Sequence, residues 1–216
     1  RTLLANSSFT ADTVESLYGT RPAVLHPPVD PIGCDESWGE RERGIVVVSR
    51  IAPDKRLLDA LSLVESVRDR GLDVHLHVAG SAPRAYRRYA DRLRAAARER
   101  PYVTLELDVS RERVETLLCR HRVGLNLKPR EPFGMAVAEY AAAGMVPLAP
   151  ASGGQQEILG GRSDLTFDTV PDAVDLVSQA IGREDPPNLP RDRFAADRFR
   201  EELQEHVQRA LESADG

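Results

Sequence analysis

Glu131 and Glu139 stand eight residues apart in the run Glu131-Pro-Phe-Gly-Met-Ala-Val-Ala-Glu139. Ionised carboxylates only accept hydrogen bonds, so a pair of them suits a ligand rich in hydroxyl groups. Gly134 opens a helix that continues through Tyr140, and Gly144 is placed to end it. A helix amino terminus behind a glycine offers unpaired N–H groups and the positive end of the dipole, which suit an anion. Helical side chains tilt toward the amino terminus, so Glu139 leans back toward the opening that Glu131 borders. Hydroxyls beside a bound anion describe a sugar nucleotide. The same spacing equally describes a solvated loop glutamate followed by an ordinary helix glutamate, and the pair alone does not decide between them.

Arg50 and Lys55 flank the loop Ser49-Arg-Ile-Ala-Pro-Asp-Lys55, which follows the apolar run Gly44-Ile-Val-Val-Val-Ser49. An arginine fork and a lysine point charge together suit a diphosphate, although a basic pair in a loop is also ordinary solvated charge. Lys55 is the sharper signal, because only Lys55 and Lys128 are lysines among 29 basic residues. The run Ala151-Ser-Gly-Gly-Gln-Gln-Glu157 repeats the glycine-then-helix device. Gly153 and Gly154 either let the backbone approach a ligand or simply make the turn, and Glu157 reads as a helix residue or a surface one. His26, His75, His77, His121 and His206 have no metal-like or nucleophile-like company and read as packing or surface residues. Neither G-x-G-x-x-G nor G-x-x-x-x-G-K-[ST] occurs, which disfavours a nicotinamide dehydrogenase or a nucleotide triphosphatase.

These loops need a frame. Strands are expected at 2–6, 44–49, 74–79, 102–107, 123–127, 146–149 and 164–167. Helices are expected from Ser7 or Ser8 to Tyr18 and at 55–70, 83–99, 111–120, 134–143, 153–159, 171–181 and 191–213. Continuous Val/Ile/Leu strands alternating with helices indicate an α/β fold, a doubly wound, Rossmann-like parallel sheet covered on both faces. Ligands of such sheets sit beyond the carboxyl ends of the strands, near the point where strand order reverses. The loops after the strands carry nearly all the residues named above.

Composition narrows the partners. With 216 residues and 41% hydrophobic content, the chain can bury one large α/β domain or one and a half. A net charge of −5 and no basic stripe among aromatics argue against nucleic acid. Cys34 and Cys119 are too few and too far apart for a zinc cluster or a disulfide framework, and read as buried or incidental thiols in a reducing compartment. No run reads as a membrane span or a signal peptide. The start at Arg1-Thr-Leu-Leu, without an initiator methionine, reads as part of something longer.

Ala5-Asn-Ser-Ser-Phe-Thr10, Tyr18-Gly19, Pro27-Pro-Val-Asp30, Ser49 to Lys55, Glu131 to Glu139 and Ser152-Gly-Gly-Gln-Gln-Glu157 follow one another in this order. As an ordered set they resemble the C-terminal part of a family 4 retaining glycosyltransferase with the GT-B fold, over almost the whole chain. The resemblance implies that residues 1–26 are the tail of an N-terminal acceptor domain and 27–43 an interdomain linker. It implies that 44–190 form the nucleotide-sugar domain and 191–216 the C-terminal helix. By position, Arg50 and Lys55 match the basic pair that neutralises the donor diphosphate as it leaves. Glu131 matches the glutamate lying against the transferred sugar, and Glu139 the one holding the ribose hydroxyls. Phe133, Gly134 and Met135 match the loop whose amides meet sugar and phosphates, and Gly80 and Ala136 complete the expected donor set. The base is expected near Val103–Leu107 and the loop 108–110.

The family implies no cofactor and no essential metal, and the chain has no Asp-x-Asp motif. It also implies a glycan or lipid-linked acceptor held by the N-terminal domain, and a cytoplasmic location, with the whole protein at the membrane's cytoplasmic face. Pro27-Pro28 and the Pro-Phe-Gly-Met loop are similar to GDP-mannose-using enzymes. UDP- or ADP-activated sugars, or a non-catalytic sugar-nucleotide-binding module, are the alternatives.

Overall fold

In the computed structural model, residues 2–212 are described. Arg1 and residues 213–216 lie outside the described residues, and with them the expected last residue of the C-terminal helix and the tail beyond it. Near the amino terminus, β1 (Leu4–Ala5) and β2 (Ala23–Val24) pair in parallel around helix α1 (Ser8–Tyr18). Ser7 caps α1 by accepting a hydrogen bond from the Thr10 amide at 3.0 Å, and Gly19 ends it at φ 69°.

The Val/Ile/Leu runs then build a six-stranded parallel sheet. Its strands are β3 (Glu42–Val48), β4 (His75–Gly80), β5 (Val103–Leu107), β6 (His121–Leu125), β7 (Val146–Pro150) and β8 (Thr166–Phe167). Their spatial order is β5-β4-β3-β6-β7-β8, so the order reverses between β3 and β6. Every residue of β6 and β7 is buried, as strands covered on both faces require. The covering helices are α2 (Leu57–Asp69), α3 (Arg87–Arg98), α4 (Arg111–Arg120), α5 (Met135–Ala142), α6 (Gln155–Leu159) and α7 (Val170–Ile181). Helix α2 packs against α3 and α7, while α5 and α6 lie on β7. The doubly wound expectation is met.

Several boundaries differ from the sequence reading, three helices most of all. The expected helix 55–70 is broken at Arg56, whose left-handed φ of 55° separates a short turn, Pro53–Lys55, from α2. The expected helix 83–99 likewise splits into a turn, Arg84–Tyr86, and α3. The C-terminal helix α8 (Ala196–Glu212) starts later than residue 191, because residues 191–194 form a turn, closed by the Ala195 amide donating to the Asp192 carbonyl at 3.0 Å and tied to the strap by the Val29 amide donating to the Phe194 carbonyl at 2.7 Å.

The stretch expected as a polar linker is a strap tied to the sheet. Val29 and Ile32 are buried in the core, and Glu42 and Arg43 already belong to β3. The Trp38 indole donates to the Arg183 carbonyl at 3.1 Å. Cys34 is disulfide-bonded to Cys119 at 2.05 Å, which corrects the reading of two incidental thiols. A sequence separation of 85 conceals the pairing, since the strap runs back past the last turn of α4. Disulfides are uncommon in reducing compartments, so the cysteines give no support to one.

Candidate functional site

A cavity of about 650 Å³ opens beyond the carboxyl ends of the strands, beside the β3–β6 reversal. Arg50, Lys55, Gly80, Glu131, Phe133, Gly134, Met135, Ala136 and Glu139 all line it, so the residues singled out in the sequence converge. Pro27 and Pro132 line it as well, and so do Asn6 and Asn126, which carried no individual signal. Gly80 is required by its backbone: φ is 148°, and a Cβ there would stand 1.9 Å from the Ser49 carbonyl oxygen. The stretch expected to meet the base does not line this cavity. Asp108, which follows β5, instead braces its wall by accepting from the Ala82 amide at 3.0 Å.

The Pro53–Lys55 turn directs Lys55 inward. Its Nζ lies 2.6 Å from Glu131 Oε2, with both side chains about 15% exposed, while Arg50 stays exposed at the rim. Lys128 stands 3.7 Å from the same Glu131 oxygen and 3.1 Å from Asp54. The cations thus form a cluster interleaved with carboxylates. The amino terminus of α2 is already occupied, because the Tyr89 hydroxyl accepts from the Leu57 amide at 2.9 Å.

Glu131 is held by its backbone as well as its side chain. It bridges to Gly153, and its carbonyl accepts from the Gly154 amide at 2.9 Å. A Cβ on Gly153 would lie 2.5 Å from the Glu131 carbonyl oxygen. These two glycines therefore serve the approach of one loop to another rather than of backbone to ligand. Beneath them the fully buried Gln155 accepts from Asn126 Nδ2 at 2.6 Å and donates to the Ser152, Pro150 and Lys128 carbonyls. From the other side the Ser7 hydroxyl donates to the Pro132 carbonyl.

Helix α5 begins at Gly134, at φ 109°, with no capping side chain, which leaves its first turn facing the cavity. One turn further on, Glu139 accepts an ion-paired hydrogen bond from Arg111, which also bonds Glu115 at 2.8 Å. Arg111 escaped the sequence reading because nothing in a charged helix start at 111 points to residue 139. Next to Glu139, the buried Tyr140 hydroxyl accepts from the Val48 amide at 2.7 Å, tying α5 to the end of β3. Burial pushes the Tyr140 phenol above its ordinary range.

The reading of His75, His77 and His121 is corrected, while His26 packs against Phe133 and Phe194 as read. His26 Nε2 lies 3.0 Å from Glu157 Oε2, and Glu157 also accepts from the Phe9 amide at 3.2 Å, so Glu157 belongs to neither solvent nor ligand. His75, His77 and His121 come together with ligand-capable atoms all within 4.8 Å of one another. Sequence could not show this, because His121 is brought beside His75 only by the pairing of β3 with both β4 and β6. Burial lowers the His121 pKa to about 4.

An open parallel sheet with this strand order and a cavity at its reversal defines an α/β nucleotide-type domain. Residues 35–179 match the family described as "Glycosyl transferases group 1". The chain belongs to that family of glycosyltransferases. Over 185 residues it is 25% identical to a GDP-Man:Man(3)GlcNAc(2)-PP-Dol alpha-1,2-mannosyltransferase of Dictyostelium discoideum, covering 76% of this chain and 37% of that protein. The protein so described from Eremothecium gossypii is 27% identical over 165 residues, 70% of this chain and 28% of its own. The chain thus spans about a third of these relatives' length. Among solved structures, Anabaena HepE in complex with UDP and glucose superposes with a TM-score of 0.77 at 14% identity, over 96% of this chain and 62% of that one. AviGT4, a glycosyltransferase involved in avilamycin A biosynthesis, gives 0.68 at 20% identity, over 96% and 63%. At such identities the likeness establishes the fold, that of a GT-B glycosyltransferase.

Proposed function

We propose that this chain is the donor-binding half of a retaining family 4 glycosyltransferase that moves mannose from GDP-mannose to a lipid-linked glycan. The observation that carries this reading is the convergence of Arg50, Lys55, Glu131, Glu139 and the uncapped start of α5 on one cavity. The sequence relatives, described as GDP-mannose-using enzymes with a dolichol-linked acceptor, support the donor and the acceptor.

In this reading the diphosphate rests between Arg50, Lys55 and the first turn of α5. Negative charge develops there as the sugar leaves, and preorganised donors aimed at developing charge lower a barrier most. Glu139 takes the ribose hydroxyls, Glu131 lies against the sugar, and the backbone from Phe133 to Ala136 meets both sugar and phosphate. Transfer uses no cofactor and no metal at this cavity. Residues 1–26 belong to an acceptor domain, joined by the strap at 27–43 to the donor domain at 44–190, with 191–216 closing the chain. The acceptor needs that other domain's wall, so these 216 residues alone bind nucleoside diphosphate weakly and transfer no sugar. No described helix is long and apolar enough to cross a membrane. The proposed place of action is the cytoplasmic face of a membrane, reached peripherally.

The test is a calorimetric and thermal-shift panel of GDP-mannose, UDP-sugars and ADP-sugars. GDP-mannose is expected to bind tightest. Tighter binding of a uridine or adenosine donor would overturn the choice of base, and binding of none would overturn the donor site itself.

A further inference from the structure

At the opposite edge of the sheet, the amino-terminal ends of three adjacent strands bring imidazoles together. His75 and His77 stand on β4 and His121 opens β6, while β3 between them carries Glu42 and Gly44. Gly44 pairs with His75 and Glu42 with His121, and the β3–β6 register shifts between Glu42 and Ile45. A Cβ on Gly44 would lie 2.3 Å from His75 Nε2 and 2.5 Å from His121 Cδ2, so glycine here makes the room in which two rings face each other.

The far side of two of the rings is already fixed. His121 Nδ1 lies 2.7 Å from the Leu117 carbonyl, which can only accept, so Nδ1 carries the proton and Nε2 presents a lone pair. His77 Nδ1 lies 2.7 Å from Glu106 Oε1, and Arg113 holds that carboxylate through Nη2 at 2.7 Å. His77 Nε2 is therefore left as an acceptor too. His75 Nε2 stands 3.0 Å from His121 Nε2 and 3.2 Å from Glu42 Oε2, and that Glu42 oxygen is 3.6 Å from His121 Nε2. Imidazoles whose outer N–H groups are tied to a carbonyl and a carboxylate, with ligand-capable nitrogens within 4.8 Å of one another, are held as metal-ligating histidines are held.

We propose that His75, His77 and His121, with Glu42 as fourth ligand, bind a divalent transition ion, zinc being the best match to three imidazoles and a carboxylate. Zinc–nitrogen bonds of about 2.0–2.1 Å place tetrahedral ligands about 3.3 Å apart. The 3.0 Å between His75 and His121 and the 3.2 and 3.6 Å from Glu42 to those two rings are close to that spacing. The 4.8 Å extreme closes by turning the partly exposed His75 ring and pivoting the His77 ring about its Glu106 hydrogen bond, the two being 33% and 17% exposed, against a buried His121 at 2%. The ion takes the place of the proton that His75 Nε2 otherwise shares with its neighbours. The centre clamps three strand starts, and strand length puts it roughly 20 Å from the sugar-nucleotide cavity. It is a structural site, distinct from transfer chemistry.

The test is titration of the intact, oxidised chain with cobalt(II), followed by displacement with zinc(II). One ion per chain is expected, with the ligand-field bands of tetrahedral cobalt that zinc abolishes. His75→Gln and His77→Gln, both at partly exposed positions, should each weaken binding at least about tenfold, and Glu106→Gln about tenfold through the His77 tautomer. His206→Gln on α8 should leave it unchanged. No saturable binding by the unaltered chain overturns the proposal whatever the variants do, and so does binding that persists undiminished in the His75→Gln/His77→Gln double variant.

Discussion

Lys55 and Glu131, 76 residues apart in sequence, neutralise each other across 2.6 Å inside the cavity. The cation expected to meet a diphosphate is thus already engaged by the carboxylate expected to meet the sugar. In the proposed reading a diphosphate shares Lys55 with Glu131, and the two positions are expected to be coupled.

That coupling separates two substitutions. Lys55→Ala or Arg50→Ala should weaken nucleoside-diphosphate binding by about 1–3 kcal/mol, the range for hydrogen bonds to charged groups. Glu131→Gln should leave that affinity unchanged or slightly tighter, since it frees Lys55, while turnover of the full-length enzyme collapses. Calorimetry on the three variants decides; equal weakening by Lys55→Ala and Glu131→Gln would show that the pair acts as one structural unit.

Glu139 and Arg111 make a second such pair. Glu139→Gln should cost nucleoside-diphosphate affinity about tenfold, equivalent to about 1.4 kcal/mol. Arg111→Ala should cost less, because it loosens the carboxylate without removing it. A larger loss from Arg111→Ala would mean that the arginine itself touches the ligand.

Tyr140→Phe tests the tie between α5 and β3. The change leaves the Val48 amide without its partner, which should lower unfolding free energy by about 1–3 kcal/mol in urea denaturation. A neutral outcome would show that water enters to replace the hydroxyl.

Glu157 predicts an acid limit. Burial works to raise its pKa, but His26 and the Ser8 and Phe9 amides outweigh that and hold it below its ordinary 4.5. A carboxylate lowered by folding adds stability above its unfolded pKa and loses it as pH falls through the folded value. Glu157→Gln should therefore be less stable than the parent at neutral pH, and the gap should close between about pH 5 and pH 3. A gap independent of pH would assign the effect to packing instead.

What could be read in the sequence was local. Gly19 and Gly134 marked helix ends, apolar runs marked strands, and the loops after those strands held the cavity residues. What escaped was created by pairing between distant segments. Cys34 meets Cys119 only because the strap folds back, and the histidines meet only because β3 lies between β4 and β6. The turn at Arg56 was hidden for another reason: a left-handed φ on a non-glycine residue has no mark in the sequence.

The Ser7 hydroxyl grips the carbonyl of Pro132, the residue between Glu131 and Phe133, while Glu157 grips the Phe9 amide at the start of the same helix. With one handhold on each side, α1 cannot turn or slide without dragging the peptide that aims Glu131. A displacement of α1 is therefore expected to reach the cavity wall through these two bonds. The first helix works as a lever whose short arm ends at Pro132.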